Sequence, residues 1–205
     1  MAENYQKQLD EVIGTLDMEK SRKKLLLHVC CAPCASYVLE YLTGYFDITV
    51  FFFNPNIYPP EEYKKRLEEL EKLLDKMPLK GEVSLSIGEY EPPQFDRAVK
   101  GLEEQREGGD RCRACIGMRL EETAKVAASK GFDYFCTTLS ISPYKNARMI
   151  NEGGGELAQK YGVRFLPSDF KKRDGYKRSI ELCAMYDIYR QNYCGCRYSI
   201  RNNGG

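Results

Sequence analysis

The sequence predicts one α/β domain, built on an open, mostly parallel sheet with helices on both faces. Short apolar runs alternate with longer segments of helical periodicity along the chain. No linker rich in Pro or in Ser and Gly divides the 205 residues, and a hydrophobic content of 42% is enough for a buried core. We therefore expect residues 25–205 to form a single α/β domain, and residues 1–24 an N-terminal extension that caps it as a helix.

The first structural unit is a strand, a loop and a helix. Residues 25–29 form an apolar run that ends at a cysteine-rich loop, which is typical of a buried strand. Residues 35–42 follow with helical spacing and stop at Gly44, and residues 48–53 are β-branched and aromatic. Because parallel strands need a crossover connection, this order predicts two parallel strands joined by a helix.

The rest of the chain repeats this alternation. Strands are predicted over residues 83–87 and 132–138, and helices over residues 61–77, 94–106, 116–129, 146–161 and 178–193. Three consecutive glycines, residues 153–155, interrupt the fourth of these helices. The ligand site of such a Rossmann-like sheet lies outside the carboxyl ends of its strands. The cysteine-rich loop after residue 29 and the polar loop over residues 137–142 should therefore face one crevice.

Composition excludes several classes of function. Lys and Arg (31) almost balance Asp and Glu (30), so RNA binding would require a local basic face. His28 is the only histidine, which rules out metal sites with several histidines. Residues 1–24 lack the apolar core of a signal peptide, and no later run approaches the roughly 18 apolar residues that span a bilayer. We expect a cytoplasmic protein with no membrane partner, where clustered cysteines favour metal binding or catalysis over structural disulfides.

Six of the nine cysteines form three tight groups: Cys30-Cys31, Cys112-x-x-Cys115 and Cys194-Gly195-Cys196. Two residues between cysteines turn the chain so that both sulfurs face one metal. Neighbouring arginines and a following helix would lower the pKa of these thiols. A structural zinc site with four thiolates is the alternative for the first two groups. Placement at the ligand-binding end of the sheet favours a functional centre.

The remaining cysteines and the histidine leave alternatives open. Cys194 and Cys196 could form an easily reduced disulfide, hold a second metal, or be unpaired thiols near a frayed terminus. Cys34 is either a metal ligand or the first-turn thiol of a helix. Cys136 and Cys183 are expected to be ordinary buried cysteines. His28 is expected to be a core histidine, and a hydrogen bond to a cysteine sulfur would give it a supporting role at the metal.

A basic stretch late in the chain could contact RNA. Cations alternate with Phe170 and Tyr176, a pattern that suits phosphates and bases, although a solvated loop fits equally well. A short Pro-Tyr-Lys-Asn segment before a helix could also hold an anion, or simply cap that helix. The side chains expected to contact RNA phosphates are Lys145, Lys171, Lys172, Arg173, Lys177 and Arg178.

Taken together, the motifs resemble one family, the QueH-type epoxyqueuosine reductases. The resemblance covers about residues 25–199 and is carried by His28-Val29-Cys30-Cys31-Ala32-Pro33-Cys34, Cys112-x-x-Cys115, Ser142-Pro143-Tyr144-Lys145-Asn146, Asp169-Phe170-Lys171-Lys172 and Tyr189-Arg190-Gln191-x-Tyr193-Cys194-Gly195-Cys196. It implies the last step of queuosine synthesis, in which the epoxide of epoxyqueuosine is reduced to a cyclopentene at the wobble position of tRNA.

The resemblance also implies cofactors and roles. Cys30, Cys31, Cys112 and Cys115 would ligate a [4Fe-4S] cluster, and Cys194 and Cys196 would be a redox-active pair. An additional mononuclear iron is implied beside the cluster, for which Cys194, Cys196 and a nearby Asp compete as ligands. Removing an epoxide oxygen as water takes two electrons and two protons, so an electron donor is needed, which the sequence does not identify. Tyr144 or Asp169 is expected to donate a proton.

Two other functions compete with the reductase. The first strand, loop and helix are similar to the architecture of ATP pyrophosphatases that activate tRNA bases for thiolation, some of which carry iron-sulfur clusters. Those enzymes have a Ser-Gly-Gly-x-Asp-Ser phosphate loop where this chain has Cys30-Cys31-Ala32-Pro33-Cys34, so no glycine lets the backbone surround a phosphate. The other alternative is a non-catalytic RNA adaptor with structural zinc.

Overall fold

A five-stranded parallel sheet forms the centre of the computed structural model, which describes residues 3–16 and 22–200. Its strands are β1 (Lys23–His28), β2 (Phe46–Phe52), β3 (Val83–Ile87), β4 (Tyr134–Thr137) and β5 (Arg164–Phe165), in the spatial order β3-β2-β1-β4-β5. The described helices are α1 (Tyr5–Leu16), α2 (Ala32–Leu42), α3 (Pro60–Lys76), α4 (Pro92–Ala98), α5 (Asp110–Ser129), α6 (Ala147–Tyr161), α7 (Gly175–Met185) and α8 (Arg197–Ile200). None of them is both long and apolar enough to cross a membrane.

The sheet is covered on both faces, which confirms the expected doubly wound α/β class. Alternate side chains of β1 point to opposite faces. Leu25 and Leu27 pack in the core shared with α2, α3 and α7, whereas Leu26 packs with residues of α5 and α6. All three side chains are at most 1% exposed. A central strand buried on both sides explains why this segment is a continuous apolar run.

The order of the strands defines where a ligand can bind. The chain builds β1, β2 and β3 in one direction and then returns to the other side of β1 with β4. Ligands of open parallel sheets bind at such a reversal, outside the carboxyl ends of the two strands. A 3₁₀ turn, Thr138–Ile141, follows β4 there, opposite the cysteine-rich loop after β1.

Several helix boundaries differ from those expected. The helix α4 ends at Ala98, because the following loop contains Gly101 and Gly108, both with positive φ. The helix α5 begins at Asp110, so Cys112-x-x-Cys115 lies inside the first turns of a helix. The helix α7 ends at Met185 and Asp187 then adopts a φ of 52°, so an irregular segment, not a helix, leads to Cys194. The two-residue strand β5 was not expected at all.

The three-glycine run does not interrupt α6. Gly154 is the member whose small size matters, because a Cβ there would lie 2.6 Å from the ring of Phe165 on β5. The glycines on either side of it meet nothing within 4 Å. The run therefore allows α6 to pack closely against the edge of the sheet.

The N-terminal helix α1 packs onto the main core, while residues 1–2 and 17–21 of the expected extension lie outside the described residues. Leu9 is fully buried, and Ile13 and Leu16 are each 7% exposed in the same cluster as β1 and α2. Asp10 adds an ion pair of 2.6 Å to Arg173, in the loop before α7. The helix thus fixes that loop as well as covering apolar surface.

Candidate metal centre and active-site cavity

A cavity of about 160 Å³ lies at the carboxyl ends of β1 and β4. Cys30 lines it from the loop after β1, and Leu139 and Ile141 line it from the turn after β4. Tyr176 at the start of α7 and the irregular segment over residues 190–194 close the other side. The cavity therefore occupies the crevice that the strand order predicts.

Three thiols gather at the base of this cavity. The sulfurs of Cys30, Cys31 and Cys34 lie within 4.8 Å of one another, and the first two are 3.7 Å apart. Cys31 has extended backbone just before α2, and Pro33 lies in the first turn of the helix, which brings Cys34 back toward the loop. Three thiols in this arrangement can bind a metal ion.

The electrostatics of this group favour a shared negative charge. Hydrogen bonds from Cys30 and Cys34, together with the nearby Arg66 guanidinium, hold the pKa of Cys31 well below its usual range. Hydrogen bonds to Cys30 and to Cys31 hold the pKa of Cys34 well above its usual range. The side-chain nitrogen of Gln191 also donates to the Cys31 sulfur at 2.9 Å. Cys31 is therefore the thiol of this group that most readily becomes a thiolate ligand.

A second group of thiols lines a smaller adjoining cavity. Cys112 and Cys115 come from the start of α5, and Cys194 and Cys196 come from the irregular segment before α8. The Cys112 sulfur accepts a hydrogen bond from the Gly108 amide at 3.2 Å. Burial raises the pKa of Cys115 to about 11 and also raises that of Cys196. All nine cysteines are free thiols in this structure.

Two buried cations stand between the thiol groups. Arg119 and Lys145 line both cavities, as does Cys194. The Lys145 ammonium donates to the Cys194 sulfur at 3.3 Å, while Arg119, only 2% exposed, donates to the Cys115 carbonyl at 3.2 Å. No carboxylate pairs with Arg119 among residues 3–16 and 22–200.

The thiolates decide the charge state of these cations. Burial by itself lowers the pKa of Lys145, but Cys194 and Cys112 raise it by more. Burial likewise opposes the charge on Arg119, and Cys115, Cys194 and Cys30 outweigh it and raise its pKa. A buried cation without a carboxylate needs another source of negative charge. The sulfurs of Cys115, Cys194 and Cys30 are the nearby groups that can supply it as thiolates.

Arg66 holds the Cys-Gly-Cys segment in place from α3. It is 2% exposed, pairs with Glu62 at 2.7 Å and donates to the carbonyls of Cys194 and Tyr193. Gly195 has a φ of +107°, and a Cβ there would lie 2.7 Å from the Arg66 guanidinium. The glycine between the two cysteines is therefore required by both the backbone conformation and this close contact.

The single histidine is a hydrogen-bonded core residue. Its Nδ1 lies 2.8 Å from the Thr137 hydroxyl and its Nε2 lies 3.1 Å from the Phe53 carbonyl. Because that carbonyl can only accept, Nε2 carries the proton, and burial lowers the pKa of His28 to about 4. Both ring nitrogens are thus occupied by partners other than cysteine, and His28 supports the site through the strand it stabilises.

A family model described as "Epoxyqueuosine reductase QueH" matches residues 25–202. The chain belongs to this family. It is 46% identical to the epoxyqueuosine reductase QueH of Streptococcus pyogenes, covering 98% of this chain and 80% of that protein. It is 47% identical to the epoxyqueuosine reductase QueH of Staphylococcus epidermidis, over 98% of this chain and 86% of that protein. It is 40% identical to the one of Thermotoga maritima, over 86% of this chain and 90% of that protein.

Membership of the QueH family makes the protein an oxidoreductase, as expected, and favours the enzyme over the non-catalytic adaptor. Among solved structures, one described as a predicted subunit of a tRNA methyltransferase from Methanocaldococcus jannaschii is similar with a TM-score of 0.48 and 14% identity. That likeness covers 78% of this chain and 76% of the other. It is too low to carry an argument about function.

The structure brings some of the expected site residues of this QueH protein together and separates others. Tyr144 lies at the mouth of the main cavity with 80% of its surface exposed, and Lys145 reaches inside. Asp169 lines a different groove, beside α1, and pairs with Lys171. The structure therefore does not bring Asp169 to the cavity.

The expected RNA contacts are also divided. Arg173 pairs with Asp10, and Arg178 pairs with Glu40 at 2.7 Å and with Glu181 at 3.1 Å. Lys172 and Lys177 are exposed, and no other described side chain pairs with them. Ion pairing reduces the positive charge that the basic stretch can offer to RNA.

Four residues of the site were not expected from the sequence. Arg119 could have been found, because it follows Cys115 by one helical turn and shares its face of α5. Gln191 lies inside a motif that was recognised, but nothing in the motif shows that it reaches Cys31. Arg66 and Glu107 carry no local signal, since each meets the cavity only through the tertiary fold.

Proposed function

We propose that the protein reduces epoxyqueuosine to queuosine at the wobble position of tRNA, the last step of queuosine synthesis. The function that its relatives' name states supports this proposal. The observation that carries it is the meeting of two thiol groups on adjoining cavities that share Arg119, Lys145 and Cys194. Tyrosines and cations around the main cavity suit a nucleotide, which offers a base and a phosphate.

The donor set fits an iron-sulfur centre. The side chains that could ligate a metal there are all thiols, and the only histidine is engaged elsewhere. Two buried cations, Arg119 and Lys145, can offset the charge of thiolates. Cys30, Cys31, Cys112 and Cys115 are the residues that we propose as ligands of a [4Fe-4S] cluster. Cys194, Cys196 and, from its position beside Cys30 and Cys31, Cys34 are candidates to hold an additional mononuclear iron.

The proposed reaction has a simple balance. Both bonds from the epoxide carbons to oxygen break, a carbon–carbon double bond forms, and the oxygen leaves as water after taking two protons and two electrons. When bound, the iron-sulfur centre supplies single-electron chemistry. Cys194 and Cys196 can supply two electrons and two protons by forming a disulfide, which an electron donor not yet identified must reduce again.

The chain's own residues have distinct tasks in this proposal. Lys145 holds the Cys194 sulfur in position at 3.3 Å. Tyr144, which lines the cavity, is our candidate proton donor. Epoxyqueuosine in the anticodon loop is single-stranded, so the base can enter the cavity without opening a duplex. The candidate phosphate contacts remain Lys145, Lys172 and Lys177. Three further candidates would first have to give up their present ion pairs: Lys171, Arg173 and Arg178.

Anaerobic metal analysis combined with a turnover assay tests this function. The protein is purified without oxygen, and iron, acid-labile sulfide and zinc are measured per chain, with an EPR spectrum after dithionite reduction. We expect about four irons and four sulfides, a reduced-cluster signal, and conversion of epoxyqueuosine to queuosine in tRNA. Stoichiometric zinc without sulfide, and no conversion, would contradict the proposal.

A further inference from the structure

Glu107 is the only acidic residue among the described side chains that line the main cavity. The other charged side chains there are Arg66, Arg119, Lys145 and Arg190, all cations. The Glu107 carboxylate lies 3.7 Å from the Lys145 ammonium, and 37% of its side chain is exposed. A single accessible carboxylate in an otherwise cationic cavity is a specific recognition element for a positive group on a ligand.

The loop between α4 and α5 holds Glu107 at this position. The buried Arg111 guanidinium donates to the Glu103 carbonyl at 2.7 Å and to the Gln105 carbonyl. Gly108, with a φ of +86°, then turns the chain so that its amide meets the Cys112 sulfur. The backbone on either side of Glu107 is thus held relative to the second thiol group, and this places its carboxylate within reach of Lys145.

Other groups near Glu107 are already engaged. Glu103 in the same loop accepts a hydrogen bond from the Gly101 amide at 3.0 Å. Arg66 is neutralised by Glu62, and Lys145 is bound to the Cys194 sulfur as well as to Glu107. Since Lys145 keeps the Cys194 sulfur as a second partner, Glu107 can accept another cation without leaving Lys145 alone in the protein interior.

We infer that Glu107 binds the protonated amine of the substrate and so selects for it. This inference rests on the proposed function. Epoxyqueuosine carries a secondary amine between the deazaguanine base and the epoxide ring, and an alkyl amine is charged at neutral pH. In a cavity lined by four cations that charge is repelled unless a carboxylate receives it. Because the amine lies between base and ring, anchoring it also orients the epoxide toward the thiols.

Binding of two RNAs that differ only in this charge tests the inference. The anaerobically purified, metal-loaded protein is titrated with an anticodon stem-loop that carries either 7-aminomethyl-7-deazaguanine or the neutral 7-cyano-7-deazaguanine at the wobble position. Fluorescence anisotropy gives both dissociation constants. We expect about tenfold tighter binding of the amine at low salt, and a smaller ratio as salt screens the charge.

Variants in the same loop separate recognition from positioning. Glu107→Gln should abolish the preference for the amine, Glu107→Asp should keep most of it, and Glu104→Gln, outside the cavity, should leave it unchanged. If Glu107 only positions Lys145, Glu107→Gln would leave the ratio of the two constants as in the wild type, which would overturn the inference. Binding of both RNAs by the wild type without preference would also overturn it, while leaving the proposed function intact. Failure to bind either RNA would instead contradict the proposed function itself.

Discussion

The two thiol groups of this site are built in different ways. Cys30, Cys31 and Cys34 come from one loop and the first turn of α2, and their sulfurs are already within 4.8 Å of one another. Cys112, Cys115, Cys194 and Cys196 come from two segments about 80 residues apart in the sequence, and burial raises the pKa of two of them. The first group is arranged locally, whereas the second depends on tertiary structure.

The two groups therefore differ in how much supporting structure they need. A local group needs only a strand end and a helix start. The group assembled from distant segments needs Arg66 to hold the Cys-Gly-Cys segment and Arg119 and Lys145 to offset its charge. Among these cations Arg119 has no carboxylate partner in the described part of the chain, and a buried charge of this kind is costly and typical of functional sites.

The largest expected effect comes from the local group. Cys31→Ser should reduce both bound iron and turnover below detection, because it removes the thiol that most readily becomes a thiolate. Metal analysis and the tRNA assay measure the two losses. Cys136→Ala is the control, since that buried thiol lies on β4 outside both cavities and its loss should leave iron bound. Full iron content in Cys31→Ser would show that the local group is not the metal centre.

The proposed redox pair, Cys194 and Cys196, should behave differently from the local group. Cys194→Ser should lower turnover at least about 100-fold, because a serine cannot form the disulfide, while the iron held by the other thiols stays near the wild-type level. Iron per chain and single-turnover conversion are measured on the same preparation. Unchanged turnover would contradict the role of Cys194.

Removing the buried charge should weaken the second group without touching a thiol. Arg119→Met should lower kcat/KM by about 100-fold, since the thiolates lose a buried cation, and Arg119→Lys should recover part of the loss. Arg113→Met is the matched control on the same helix, because 71% of that side chain is exposed. Equal losses in the methionine variants at positions 113 and 119 would mean that charge on α5 acts only at long range.

The smallest effect should be on stability. Gly195→Ala forces a Cβ against Arg66 and a strained positive φ, and we expect a loss of about 1–3 kcal/mol in the free energy of unfolding. Gly155→Ala, within α6, meets nothing within 4 Å and should be neutral or stabilise by up to about 1 kcal/mol. Urea unfolding of the two variants makes the comparison. A Gly195→Ala variant as stable as wild type would show that the contact can relax.

Much of the fold could be predicted from periodicity. The strand β3 has the expected bounds, and the burial of β1 on both sides follows from its apolar run. The end of α7 could not be predicted, because Asp187 leaves the helix through a positive φ that few local signals announce. The two-residue β5 is too short to have a pattern of its own.

The sequence points to cavity-lining residues most directly where the chemistry is local. The cysteine motifs are visible because thiols three residues apart meet by backbone geometry alone. Arg66 meets Cys194 across 128 residues, and Glu107 enters the cavity because Arg111 shapes its loop. Such contacts depend on how helices and loops pack against one another. No short segment of the sequence carries a signal for that packing. Asp169 illustrates the reverse error, in which a motif residue lies outside the cavity.

The distance in sequence between the two thiol groups also means that they are synthesised at different times. Cys194 follows Cys34 by 160 residues, since 194 minus 34 is 160. At a synthesis rate of 5–20 residues per second, the ribosome takes on the order of ten seconds to add them. During that interval the nascent chain presents the local thiols without the segment that completes the site. Any metal centre that needs both thiol groups therefore has to wait until translation has passed Cys196.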